Sequence, residues 1–241
     1  MVWELRQEQP LLDIRLFAHR GRAGGSITLL VVFAVVFGVF LVLPQFTQAV
    51  LGYSAPKSAA SLSDVVFVMM PLSAVAPVIA TRIGTRNVLV AGVASFTTGL
   101  VLLAVMVSAE GGYWRVIPGL LVLAVGIGRC LSPSTTVIAE SLPVAEQGVA
   151  SALNDTVREL GGAVGIALLG SFVSAGYRSS GADATTTLPA GLAHRVEEGI
   201  GAAFAAAPEL GPDAPRVIEA AKLALVDGWR GRCGSAWVWP P

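Results

Sequence analysis

The chain carries little charge. Only 13% of its 241 residues are Asp, Glu, Lys or Arg, about half the share expected of a soluble domain. With 54% hydrophobic residues and a mean hydropathy of +0.71, that scarcity excludes an ordinary soluble fold and indicates a membrane protein. Sixteen basic residues balance sixteen acidic ones, so there is no electrostatic footprint for nucleic acid and no such partner is expected. Histidine and cysteine are scarce as well. His19, His194, Cys130 and Cys233 form neither an HxxxH nor a CxxC spacing, so no metal site is expected. There is no Walker loop and no G-x-S-x-G elbow, and GIGRCL lacks the third glycine of a dinucleotide fingerprint, so no cofactor and no enzymatic activity are expected. Residues 1–22 have no apolar core followed by a cleavage site, which excludes a signal peptide.

Apolar runs are what the chain has in abundance. About 20 apolar residues in a helix cross the hydrocarbon core, and five stretches reach that length, at about 24–44, 61–81, 88–108, 116–139 and 148–177. The expected fold is therefore an all-α membrane protein, with a leader over 1–23, a five-helix bundle over 24–177, and an external loop and irregular tail over 178–241. Pro71 and Pro77 predict bends in the second span. In the tail, a short helix is expected around 193–207 and an amphipathic turn over 216–227. Arg6, Arg15, Arg20 and Arg22 precede the first span, and Arg82 and Arg86 fill the link between the second and third. The opposite links carry only Lys57 and Arg115, so the amino terminus is expected in the cytoplasm of a multi-pass cell-membrane protein. The link from Glu140 to Gln147 has two glutamates and no base, against that bias.

The fifth span is the informative one. Its first half, GVASALNDTVRELGG, holds Asp155, Arg158 and Glu159. A charge near the bilayer centre costs about 2.5 to 3.5 kcal/mol on insertion scales, so such groups normally face a bundle interior or a watery cavity. At 100° per residue, Asn154, Arg158, Gly161 and Gly165 share one stripe, with Asp155 and Glu159 beside it. Arg158 lies about 15 Å along the helix, near the midplane. It reads as a pathway residue or as the partner of Asp155 at i−3, and one of the two carboxylates reads alternatively as its counter-ion. Gly161 and Gly165 have the GxxxG spacing of close helix packing, with Gly162 next to them. The sequon Asn154-Asp155-Thr156 would lie inside a spanning helix and is discounted.

Taken in order, PLLDIRLFAHR, the first span leading into LPQFTQAVLGYS, the RIGTR link, GIGRCLSPSTT and NDTVRELGGAVGIALLGS resemble the carboxyl-terminal half of fourteen-helix major facilitator transporters of the EmrB/QacA-type drug:proton antiporter group. The resemblance implies five helices of a six-helix carboxyl-terminal bundle in the lipid bilayer. It also implies protons and a small organic or drug-like substrate as partners, and a separate amino-terminal half. Asp155 and Glu159 become the proton-coupling candidates, with Arg158 and Asn154 beside them. Arg129 stands where such transporters prefer small or apolar residues, and is either a specialised substrate contact or tolerated damage. Asp64 lies in APKSAASLSD, which departs from the usual pattern, and is a weaker candidate. Arg82, Gly84 and Arg86 resemble the tight loop motif between helices two and three of each bundle, in which glycine permits the turn. Thr81 replaces the usual acid there, so positive-inside anchoring competes with a latch. GRCGSAWVWPP takes the place of a last apolar helix, which raises an alternative expectation of a truncated or frameshifted fragment that transports nothing by itself.

Overall fold

The structure is a computed structural model that describes residues 20–108, 111–140, 147–186 and 188–230. The sequence readings that fall on 1–19, 141–146 and 231–241 lie outside the described residues. Hydrocarbon offers a backbone N–H or C=O no partner, so a spanning segment must satisfy them internally. Among the described residues every regular element is accordingly helical, and five helices are long and apolar enough to cross a membrane.

Helix α1 (Arg20–Gln45) continues into a wide π turn, Phe46–Val50. Pro44, which cannot donate a ladder hydrogen bond, immediately precedes this change of winding, and the Leu51 N–H donates to the Phe46 carbonyl five residues back at 3.2 Å. Helix α2 is Ala55–Ile83 and α3 is Thr85–Met106. A single residue, Gly84 at φ +88°, separates them. After the 3-10 turn Tyr113–Arg115 come α4 (Ile117–Glu140) and α5 (Gln147–Thr185). Three shorter helices follow: α6 (Ala190–Glu197), α7 (Ile200–Leu210) and α8 (Ala214–Trp229). We call the end holding Gly84 proximal and the end holding the π turn distal.

Helix α4 is central, packing on α3, α2 and α1, while α5 packs on α1 and α8. The main core joins Leu43 of α1 and Phe46 of the π turn, Val65 of α2, Phe96 and Leu103 of α3, and Leu120 and Leu123 of α4. The α1–α5 seam depends on missing side chains. A Cβ on Gly165 would sit 1.8 Å from the Ala34 carbonyl oxygen, and one on Gly161 2.5 Å from that of Leu30. Lipid tails are as apolar as leucine, so such contacts rest on van der Waals fit rather than on a hydrophobic drive.

The structure extends and revises the sequence reading in three places. Helix α2 begins at Ala55 because Pro56 is suited to a helix's first turn, and it is one continuous helix through Pro71 and Pro77. Helix α5 does not stop at 177 but continues to Thr185, about 58 Å in all. There it is held by α8, where Gly176 and Gly228 meet so closely that a Cβ on Gly176 would lie 2.4 Å from the Gly228 Cα. The tail read as irregular is three packed helices as far as Trp229. The helix expected at 193–207 is two, broken at Gly199 (φ +152°). Each buries an apolar face in a second core of Val196, Ile200, Ala203, Leu210, Val217 and Leu225 that rests on Val42 and Val173. Tyr177 donates to the Val196 carbonyl at 3.0 Å, and Arg195 forms a two-pronged bond to Glu209 at 2.8 and 2.9 Å.

Gly165→Ala forces a Cβ into the α1 backbone and is expected to lower stability in detergent micelles by about 1–3 kcal/mol, the usual cost of overpacking. Gly148→Ala adds a Cβ that meets nothing within 4 Å and is expected to change it by less than about 0.5 kcal/mol. Thermal unfolding of both variants followed by circular dichroism measures the difference.

Candidate transport site

Helix α5 presents two faces. Leu153 and Val157 are buried against Leu29, Phe33 and Ile138, and Gly161 and Gly165 continue that face along α1. Gly162 meets the Phe37 ring, with a Cβ built on it 3.1 Å away. The charges turn away from this seam. Arg158 lies at its edge, with its guanidinium carbon 4.7 Å from the Phe33 ring centroid and a nitrogen 3.9 Å from Asp155. Their side chains are 48% and 65% exposed, and Glu159 is exposed as well. The stripe that the sequence drew as one therefore divides, glycines inward and charges outward.

Phe33, Phe37, Asp155, Arg158 and Glu159 line a cleft of about 310 Å³. Its chemistry is mixed: two carboxylates one helical turn apart, a guanidinium, and two aromatic rings whose centroids are 6.2 Å apart. Carboxylates can hold a cation or a proton, and ring faces attract organic cations. Asn154 reaches α4 rather than the cleft, where the Thr135 hydroxyl donates to its carbonyl oxygen at 3.5 Å.

Over residues 4–166 the chain matches the Major Facilitator Superfamily. The chain belongs to this superfamily. Similar proteins include the multidrug resistance protein Stp of Mycobacterium tuberculosis, 31% identical over 182 residues that make up 72% of this chain and 32% of Stp. The multidrug efflux pump LfrA of Mycolicibacterium smegmatis is 29% identical over 229 residues, 92% of this chain and 44% of LfrA. The multidrug export protein EmrB of Escherichia coli is 25% identical over 180 residues, 70% of this chain and 33% of EmrB. The chain spans about a third of the length of the curated relatives it matches first.

In this major facilitator bundle Arg129 stands apart from the α5 charges. It faces α3, donating to the Ser95 hydroxyl at 3.0 Å, whereas Thr135, six residues on, faces α5. Six steps of 100° separate the two by about 120° around α4, so the fold does not bring Arg129 to the cleft. Arg82 and Arg86 are exposed at the proximal end on either side of Gly84. There the Asn87 amide nitrogen donates to the Ile83 carbonyl at 2.7 Å, satisfying an end of α2.

A polar cluster that sequence reasoning left unassembled lies at the distal end. The Tyr113 hydroxyl is shared between the Ser61 carbonyl and Asp64 Oδ2, the latter at 3.1 Å. Thr47, in the π turn, meets the Ser58 hydroxyl at 2.6 Å. The Tyr53 and Tyr113 rings lie 6.3 Å apart, with the Lys57 ammonium 3.9 Å over Tyr53. The signals available were an acid inside an apolar span and the aromatic pair Tyr113-Trp114 at a span boundary, but nothing local pairs them.

Burial and the neighbouring Asp64 carboxylate raise the Tyr113 hydroxyl above its ordinary value of 10.0. A group whose folded-state value is raised contributes stability below its unfolded value and loses it as pH rises toward the folded one. The wild-type chain is therefore expected to lose stability above pH 10 more steeply than Tyr113→Phe. At neutral pH that variant should be about 1 kcal/mol less stable, one hydrogen bond's worth. Unfolding curves in micelles from pH 7 to 12 give both numbers, and parallel alkaline limbs would contradict the assignment.

Proposed function

We propose that this chain forms the carboxyl-terminal bundle of a proton-coupled exporter of drugs or other small organic molecules. The observation that carries the reading is the pair Asp155 and Glu159, set one turn apart on a bilayer-crossing helix and opening with Phe33 and Phe37 on one cleft. In such a cycle a carboxylate gives up its proton when the substrate binds and regains one from the other side once the substrate has left. Arg158, within ion-pair distance of Asp155, is the cation of the cleft and the nearest counter-charge to that carboxylate. The names of the relatives, a multidrug resistance protein, a multidrug efflux pump and a multidrug export protein, support export of drug-like substrates.

The cleft is open, and an amino-terminal half is the partner proposed to face it, as coupling sites of such transporters lie near the midplane between two repeats. The arginines at 6, 15, 20 and 22 and those on either side of Gly84 support a cytoplasmic proximal end in the cell membrane. Alone, the 241-residue chain is expected to drive no substrate flux, because half the cleft wall would be supplied by that partner.

In a full-length relative carrying the same residues, Asp155→Asn with Glu159→Gln should abolish efflux of a lipophilic cation from vesicles with an imposed pH gradient. Folding and membrane insertion should be retained. Efflux that continues at the wild-type rate would reject the assignment.

A further inference from the structure

The cleft beside α5 already contains a cation of its own. The guanidinium carbon of Arg158 stands 4.7 Å from the Phe33 ring centroid, inside the distance of about 6 Å at which a ring face attracts a positive charge. The second ring, Phe37, lies one turn further along α1 against Gly162 and carries no such cation among the described residues. The two centroids are 6.2 Å apart. The cleft measures about 310 Å³, and a cavity of about 150 Å³ holds one benzene, so the space suits a guest of two rings. Such a guest covers both phenylalanines only if the guanidinium leaves Phe33.

Little holds it there. The nearest nitrogen of Arg158 is 3.9 Å from Asp155, beyond hydrogen-bond reach, and no hydrogen bond ties the guanidinium to another described residue. A half-exposed ring contact and a half-exposed ion pair are each weak. Asp155 lies three residues back on the same helix, where an arginine can reach it. Losing the ring is therefore offset when the guanidinium closes on that carboxylate in a charge-assisted hydrogen bond. The charges also leave room for a guest. Asp155 and Glu159 face one guanidinium, and Glu159 forms no ion pair among the described residues.

We propose that Arg158 is the resting occupant of the Phe33 face and is displaced when an aromatic organic cation enters the cleft. The guest takes the ring, Arg158 closes on Asp155, and two carboxylates then face two cations. This inference rests on the function proposed above and adds how the cleft selects its substrate. Guanidinium is weakly hydrated and stacks well on rings, whereas an ammonium is compact and strongly hydrated. A guest must therefore stack better than guanidinium to displace it, and a small ammonium competes poorly.

All the groups involved lie on α1 and α5, so the purified 241-residue chain in micelles serves for the test. The probe is N-methylquinolinium, a two-ring monocation whose own fluorescence gives its affinity. The site is read by nuclear magnetic resonance of the Arg158 Nε–H in a chain with isotope-labelled arginine, assigned by its loss in Arg158→Gln. Ring shielding should hold this proton upfield of that of exposed Arg82, and N-methylquinolinium should move it downfield to saturation. Methylammonium and neutral quinoline should not. Phe33→Leu should start with the proton downfield and bind the probe about two- to fivefold more weakly. Arg158→Gln should tighten binding, and by more than it does in the Phe33→Leu background. An equal gain in both backgrounds is an effect of charge alone and overturns the proposal. So does the absence of saturable binding. Should Phe33→Leu fail to fold, the titration of the wild-type chain decides by itself. Binding that needs Asp155 and Glu159 while the Arg158 signal stays fixed overturns the displacement and leaves the proposed function standing. Binding unchanged by Asp155→Asn with Glu159→Gln counts against both.

Discussion

The close approach of α5 to α1 is the contact on which the rest of the arrangement depends. Gly161 and Gly165 bring the α5 backbone against the carbonyls of Leu30 and Ala34, and that contact sets the rotation of α5 about its own axis. With the glycines fixed inward, Leu153 and Val157 must be buried on the same side. Asp155, Arg158 and Glu159 are then carried outward to the edge where Phe33 and Phe37 stand. A seam of packed backbone thus places the charges with no direct help from them: the single ion pair of the cluster, at 3.9 Å and half exposed, is too weak to orient a helix of 39 residues.

At the distal end the logic is different. The bundle's helices end there in polar turns, and the backbone groups that leave the helical ladder need partners. The π turn after Pro44 gives the Leu51 N–H a carbonyl five residues back, and its Thr47 hydroxyl bonds to α2 through Ser58. Tyr113 ties the α3–α4 link to α2 through Ser61 and Asp64. Helices α6 to α8 cover the neighbouring ends of α1 and α5 with a core of their own, and α8 turns back along α5 until Trp229 meets Phe46. The proximal end is spare by comparison: Gly84 reverses the chain between α2 and α3 in one residue.

Much of this was legible in the sequence, because a bilayer makes local composition decisive. Five apolar runs gave five helices, and the charges in NDTVREL marked α5 as the unusual one. The glycine of RIGTR lies where the tight turn was expected. Other features were not legible. Ala, Gly, Pro and Ser dominate 179–215, and small residues carry so weak a periodicity that helices α6 and α7 read as one short helix, at 193–207, within a loop. They are helical because they pack on one another and on Tyr177. Arg129 and the α5 charges looked like members of one set, yet they occupy different seams of α4 and α5.

By itself the sequence determined that the chain lives in a bilayer, where it crosses, and which charges need an explanation. Those properties follow from the transfer cost of each residue and from the length of apolar run a helix needs, both of which are local. Only the tertiary structure decided which way each residue faces and what it meets. Tyr113 finds Asp64 across 49 residues, and Gly176 meets Gly228 across a gap of similar length. Helix rotation is set by the fit of neighbouring backbones and side chains, which no single span encodes. The charged half of α5 consequently looks outward, and its glycines hold it there.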